Sequence, residues 1–304
     1  PAWRTGELPA PPLPVVPNGP AVEMARRVWI DTDAACGDGR TTDPDDCFAL
    51  LLLARAPDIR IAGISVVFGN APLDATLRTT RELVAALRAE GADLPEVQPG
   101  SEEPADAGEI IPPRPAHRAL ERALEEGPLT LLALGPLTNI AAVLQARPEL
   151  TSRVSRLVVV MGRRPGHLFH PAEGRGDGIL FGHGPVFRDF NFDKDPDAAA
   201  AVFALRLPAT LVPYQAARTV SLTGHDVATL DALGGAAGWT AHRTYGWLAF
   251  WREVIGLPGF YPFDLLAAAY VLRPELFHCA EAHAWIAPDD LLWNGWFSDR
   301  PALL

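Results

Sequence analysis

The sequence predicts an α/β fold: a mainly parallel central sheet flanked by helices, with a helical C-terminal portion. Two observations carry that expectation. Short, continuously apolar runs alternate along the chain with helix-like stretches, the order that βαβ crossovers impose on a sheet covered on both faces. Acidic residues, asparagines and glycines gather directly after those runs, at what would be the carboxyl ends of the strands, where an open parallel sheet collects its ligands.

The elements follow in order. Residues 1–20 carry seven prolines and suit an extended arm, so the chain divides into a Pro-rich arm at 1–26 and one α/β domain at 27–304. The first strand is expected at 27–30, ending in the acidic cluster that begins at Asp31, with a helix at 47–54. A second strand at 59–68 ends at Gly69-Asn70, and Leu73, Leu77, Val84 and Leu87 give 73–89 helical periodicity. The pattern repeats with a strand at 129–134, a helix after Gly135-Pro136, and a strand at 157–161 that runs into a long Gly/His-rich loop. A helix at 196–205, a strand at 210–213, helix-like stretches at 222–233, 239–255 and 263–272, and a strand at 283–286 complete the reading.

Composition narrows the function. The 304 residues hold 26 Lys+Arg against 37 Asp+Glu, a net charge of −11, with 48% hydrophobic residues. This is ample for a large core, and the acidic surface disfavours nucleic acid and anionic membrane as partners. Lys194 is the only lysine, which removes Schiff-base chemistry and P-loop phosphate binding. Cys36, Cys47 and Cys279 are odd in number and lack metal-like spacing, so neither a disulfide framework nor a structural zinc is expected, and a reducing cytoplasm fits. The longest apolar run, 47–54, falls far short of the ~20 residues of a membrane span, and the N-terminus shows no signal pattern.

Six carboxylates lie between Asp31 and Asp46. Held at one strand end, they repel one another unless their pKa values rise or a cation joins them. Oxygen ligands of this kind suit calcium, or magnesium in a tighter site, and not zinc. Capping of the helix that follows would use one or two of these acids, but it does not account for Asp31 and Asp33.

Asp31-Thr32-Asp33 with Thr42-Asp43-Pro44-Asp45-Asp46-Cys47-Phe48, then Val67-Phe68-Gly69-Asn70, Leu134-Gly135-Pro136-Leu137-Thr138-Asn139 and Val159-Val160-Met161-Gly162, together resemble the inosine-uridine-preferring nucleoside hydrolase family. Asp189-Phe190-Asn191 and Phe263-Asp264 resemble its later signatures. The resemblance implies a nucleoside hydrolase-like, Rossmann-like sheet and a calcium ion held by Asp33, Asp46, the Leu134 backbone carbonyl and Asp264. It also implies Asp33 as the general base toward a calcium-bound water. Asp45, Asn70, Asp189 and Asn191 would bind the sugar hydroxyls, with Met161 also in the substrate site, and Phe263 would face the base. The implied activity is calcium-dependent hydrolysis of a small-molecule ribonucleoside to ribose and free base, by a cytoplasmic homodimer or homotetramer.

Three features depart from the family pattern: the chain between Asp33 and Asp45 is longer, Phe263 stands where a histidine is common, and the loop at 162–188 is long. Phenylalanine stacks but cannot donate a proton, leaving His167, His170, His183 and His242 as candidates for a leaving-group acid. Tyr245, Trp247 and Trp251 are candidates for a base pocket, and Trp285, Trp293 and Trp296 for an interface. Two alternative readings remain. One is a metal- and ribose-binding protein of the same fold with little turnover. The other is a haloacid-dehalogenase-type phosphatase with Asp31 as nucleophile.

Overall fold

Strands that are apolar on both faces need a helical layer on each side, and the alternation of side chains along each strand decides which layer receives which residue. The computed structural model describes residues 25–39, 41–104, 111–163, 189–288 and 301–303. The Pro-rich arm up to residue 24, most of the long loop at 162–188, Trp293 and Trp296 lie outside the described residues.

The central strands are β1 (Arg26–Thr32), β2 (Ile59–Val66), β3 (Val97–Pro99), β4 (Leu129–Ala133), β5 (Val154–Val159) and β6 (Ala209–Leu211). They form one sheet in the order β3-β2-β1-β4-β5-β6, parallel at every pairing. The helices between them are α1 (Asp45–Ala54), α2 (Leu73–Ala89), α3 (Pro115–Glu126), α4 (Thr138–Ala146), α5 (Phe190–Lys194) and α6 (Pro196–Ala204). After β6 come α7 (Tyr214–Ala217), the small antiparallel pair β7 (Leu222–Thr223) and β8 (Gly259–Phe260), α8 (Gly224–Leu233), α9 (Gly235–Phe250) with a π turn at Trp251–Ile255, and α10 (Phe263–Leu272). A last hairpin pairs β9 (Ile286–Pro288) with β10 (Pro301–Leu303).

The parity of each strand sorts two cores. Val28 and Ile30 of β1, Leu132 of β4 and Val158 of β5 face α1, α2, α9 and α10. Trp29, Leu131, Ala133, Leu157 and Val159 face α3, α4 and α6. A third cluster, rich in aromatics, joins Phe48 to Tyr214, Trp247, Trp251, Phe260 and Tyr261. Strand order reverses between β1 and β4, and the crevice at the carboxyl ends of those two strands is where this class of sheet binds ligands.

Several boundaries differ from the sequence expectation, each for a local reason. β1 runs through Asp31 and Thr32 because both stay in register, Asp31 opposite Ser65 and Ala133, and Thr32 opposite Val66. The stretch at 222–233 opens as β7 and becomes helical only at Gly224, behind a capping box in which Asp226 Oδ2 accepts from the Thr223 amide at 2.7 Å and hydroxyl at 2.6 Å. Helix α9 starts at Gly235, earlier than residue 239, and the last strand occupies Ile286–Pro288 rather than 283–286. β3, only three residues long, and α3, with its charged outer face, escaped the sequence reading.

One expectation is corrected outright. Cys36 and Cys47 form a disulfide, eleven residues apart in sequence with Cα atoms 6.6 Å apart. The loop after β1 folds back onto the first turn of α1, a return that spacing alone does not signal, and the cysteine argument for a reducing compartment falls with it. Cys279 is free and exposed. Among the described residues, no helix is long and apolar enough to cross a membrane.

Gly63 on β2 lies under the buried Trp29 ring, where an added Cβ would fall 2.0 Å from ring carbon Cζ3. Gly63→Ala is therefore expected to destabilise the protein by about 1–3 kcal/mol through overpacking, measured by denaturant unfolding. An unchanged midpoint would refute this packing account.

Candidate active site at the carboxyl edge of the sheet

Each polar residue of the site is placed by the end of a strand or the first turn of a helix. Asp33 follows β1, Asn70 follows β2, Leu134 follows β4, and Met161 follows β5. Asp45 and Asp46 open α1, while Phe263 and Asp264 open α10. These two helices pack side by side, and their N-terminal dipoles favour carboxylates there.

The acids are knit together by donors. Asn70 gives its backbone N–H to Asp33 Oδ2 at 2.8 Å, and its amide reaches Asp33 Oδ1 at 3.3 Å and Asp46 Oδ2 at 3.2 Å. The Thr32 hydroxyl donates to Asp46 Oδ1. The Asp264 N–H donates to Asp45 Oδ2 at 2.8 Å, and the Asp45 N–H to Asp43 Oδ1 at 3.2 Å. An added Cβ at Gly69 would sit 1.9 Å from Asp33 Oδ2, and one at Gly135 3.1 Å from Asp33 Cγ. Position 69 therefore needs glycine for the carboxylate to fit, while position 135 is crowded by Val67 Cγ1 at 2.9 Å as well as by Asp33.

Burial raises the pKa of every member, and the neighbouring negative charges add to it. Asp33 is held well above the ordinary carboxylate range by burial and by Asp46, and Asp43 and Asp264 by burial and Asp45. Asp46 is pushed up to about 7 by burial and Asp45, and Asp45 is raised by burial. A carboxylate oxygen from each of Asp45, Asp46 and Asp264 lies within 4.8 Å of the others. Asp264 Oδ1 is buried with no hydrogen-bond partner. An orphaned oxygen facing two more carboxylates is a donor set that fits a hard cation.

A cavity of about 290 Å³ opens above this floor. Its lining combines polar side chains, Asp45, Asn70, Asp189, Asn191 and Asp264, with aromatic rings, Tyr214, Trp247, Phe250, Trp251 and Phe263. Phe263 stacks on Tyr214 at a centroid distance of 6.2 Å, and Trp251 meets Trp247 edge-on at 6.1 Å. Asp33 and Asp46 are fully buried beneath the lining rather than part of it.

The other residues singled out in the sequence divide clearly. Asp189 caps α5 by accepting from the Phe192 N–H at 3.2 Å and also accepts from the Gly162 N–H; burial raises its pKa to about 6. The Asn191 amide donates to the Leu134 carbonyl at 2.7 Å and the Val160 carbonyl at 3.0 Å. Met161 is buried at the cavity wall. Trp247 and Trp251 line the cavity, whereas Tyr245 and His242 turn to Asp231 on α8, at 3.0 and 2.7 Å. His167, His170 and His183 lie outside the described residues. Thr41, Asp43, Tyr214 and Phe250, not anticipated from sequence, also line the cavity.

Asp31 occupies the opposite face of β1. Fully buried, it accepts from Ser65 Oγ at 2.5 Å and from the Asn139 amide at 2.8 Å. Burial raises its pKa to about 6. Asn139 in turn meets His117 Nε2 at 3.1 Å and the Ser101 N–H at 2.8 Å. A nucleophile must reach the cavity and this carboxylate does not. Lys194, which a phosphatase would need beside it, sits over the Phe190 ring at 4.7 Å. The phosphatase reading is set aside on both counts.

Comparison with known proteins agrees with this architecture. Ribonucleoside hydrolases RihC described as non-specific, from Klebsiella pneumoniae subsp. pneumoniae and Escherichia coli O6:H1, are each 30% identical over 258 and 260 residues, covering 78% of this chain and 79% of theirs. Among solved structures, a plant nucleoside hydrolase superposes with a TM-score of 0.69 at 19% identity, covering 88% of this chain and 85% of its own. A purine-preferring ribonucleoside hydrolase from Gardnerella vaginalis gives 0.66 at 20% identity, covering 91% and 87%; at these identities both speak to the fold alone. The sequence profile of the inosine-uridine preferring nucleoside hydrolases matches residues 28–295, so the chain belongs to that family and is a hydrolase of N-glycosyl compounds.

Proposed function

We propose that the protein is a calcium-dependent N-ribohydrolase that cleaves a ribonucleoside to ribose and free base. The observation that carries this reading is one cavity whose lining combines carboxylates and amides with aromatic rings, next to the fully buried Asp33 and Asp46. Asp33, Asp46, Asp264 and the Leu134 carbonyl would hold the ion, and Asp45, with an oxygen within 4.8 Å of those of Asp46 and Asp264, could join them. The Leu134 oxygen already accepts from Asn191, and a carbonyl oxygen has a second lone pair to offer. A bound calcium supplies charge compensation to the floor and polarises water and sugar hydroxyls.

The chain's own residues supply the rest. Asp33, held by the Asn70 backbone and amide, is the acceptor for the proton of the attacking water. Asp45, Asn70, Met161, Asp189 and Asn191 surround the sugar. The negative floor stabilises the oxocarbenium-like charge that develops as the C1′–N bond breaks. Phe263 and the tryptophans take the planar base by stacking. A second reading, a metal- and ribose-binding protein with little turnover, draws on Phe263, which offers no proton to the leaving base.

A panel of purine, pyrimidine and modified ribonucleosides, assayed for free base and reducing sugar, separates the two. Cleavage is expected with at least one nucleoside, to be abolished by chelator and to fall about 10²–10⁴-fold in Asp33→Ala. Calcium and ribose binding without cleavage would replace the hydrolase with the binding reading.

Stability should also depend on pH in a defined direction. The raised carboxyls keep protons in the folded state that the unfolded chain gives up, so metal-free stability is full in acid and falls as pH rises through about 6, for Asp31 and Asp189, and about 7, for Asp46. Thermal melts of the chelated protein from pH 5 to 8 should show that decline, with calcium restoring more at higher pH. Asp46→Asn should raise the metal-free melting temperature and blunt the calcium response. A metal-free stability that climbs with pH would contradict the assignment.

A further inference from the structure

We propose that the Cys36–Cys47 disulfide is a positioning element for the acidic floor, so that the affinity for a divalent cation depends on the oxidation state of this pair. The inference rests on the reading of the floor as a cation site. Cys36 follows Asp33 by three residues, and Cys47 directly follows Asp46 in the first turn of α1. The bond therefore ties the strand-end acid to the helix-end acids across the segment that carries Thr41 and Asp43 to the cavity rim.

Ala34, Ala35 and Cys36 are buried, but beyond them the noncovalent ties of this segment to the rest of the protein are slight among the described residues. Asp38 pairs with Arg78 of α2 at 2.6 Å on the surface, where ion pairs contribute little. Gly37, at φ +79°, lies against the aliphatic part of Arg243 on α9. Against these stands the mutual repulsion of Asp33, Asp45, Asp46 and Asp264, which grows with burial. A covalent link removes the open arrangements that would relieve the repulsion and keeps the oxygens of Asp45, Asp46 and Asp264 gathered. Linkage makes the effect reciprocal: if oxidation favours the cation, the cation favours the oxidised pair by the same factor.

Reduction is a balanced exchange with a dithiol reagent. Its thiolate attacks one cysteine sulfur and the S–S bond breaks; two electrons and two protons end on Cys36 and Cys47, and the reagent closes to its own disulfide. Both sulfurs belong to buried residues, so attack requires the segment to open.

The test is calcium titration calorimetry on the full chain in three forms: oxidised, reduced by a dithiol, and Cys36→Ser/Cys47→Ser. The oxidised protein should bind calcium at least about tenfold more tightly than the reduced one. The serine variant should match the reduced protein and ignore the reductant. Thiol titration should rise on reduction from one, Cys279, to three, and saturating calcium should slow that rise. Equal calcium affinity in the oxidised and reduced proteins overturns the proposal. So does reduction that lowers the melting temperature equally with and without calcium, which marks a purely structural bond; this comparison holds even if the serine variant fails to fold. Absence of calcium binding in the oxidised protein defeats the cation reading itself, whereas redox-independent binding defeats only this inference.

Discussion

The arrangement turns on one electrostatic constraint: several carboxyl groups share a buried site at the carboxyl edge of the sheet, and each raises the cost of ionising the others. Much of the local architecture answers that constraint. Two helix N-termini point at the cluster, so α1 and α10 each bring acids and partial positive charge to the same place. Thr32 and Asn70 spend their donors on Asp46 and Asp33. Glycines at 69 and 135 allow neighbouring backbone to close on the Asp33 carboxyl. These devices leave one oxygen of Asp264 unsatisfied, a residue of unmet demand that a cation would meet.

The two aspartates at the end of β1 show how strand parity separates roles that look alike in sequence. Asp31 and Asp33 are two residues apart, yet Asp31 shares the face of Trp29 and accepts on Oδ1 from Ser65 and Asn139, while Asp33, beyond the strand, turns to Asn70. Asn139 connects Asp31 on β1 with the Val66 carbonyl at the end of β2 and the Ser101 N–H beyond β3. The Asp31 network thus braces the strand ends while the Asp33 group lies buried beneath the cavity lining. The spacing that suggested a nucleophile at Asp31 describes a buried brace.

The parallel sheet was legible because its strands are continuously apolar and their ends are polar, and two helices, Leu73–Ala89 and Phe263–Leu272, fall where periodicity places them. The family resemblance implies that Asp46 and Asp264 meet, together with Asp33 and the Leu134 carbonyl, and assigns Asp45 to the sugar; the structure brings a carboxylate oxygen of Asp45 within 4.8 Å of those of Asp46 and Asp264. What sequence did not show depends on three-dimensional return of the chain. Cys36 meets Cys47 only because the loop after β1 doubles back onto α1. Tyr214 and Phe250 reach the cavity only because α7 and the end of α9 converge on α10. Their local sequence reads as ordinary helix core, and β3 is too short and too polar to announce itself as a strand.

The mixed lining of the cavity also bears on how a bond between sugar and base would break in it. Acid assistance at the base needs a group that can carry a proton to a ring nitrogen, and among the described residues the aromatic part of the lining consists of phenylalanine, tyrosine and tryptophan rings rather than imidazole. His242, the described histidine nearest in sequence to this wall, is drawn out of the cavity by Asp231. Under the proposed function, the work then shifts to the other partner of the breaking bond. A negative floor stabilises the sugar as it becomes cationic, and that stabilisation grows as the site is shielded from water. Stacking cannot neutralise the departing base; it holds the planar ring in place while the bond breaks. On this argument the same buried carboxylates that make the fold costly to ionise are what make bond cleavage feasible without a histidine at position 263.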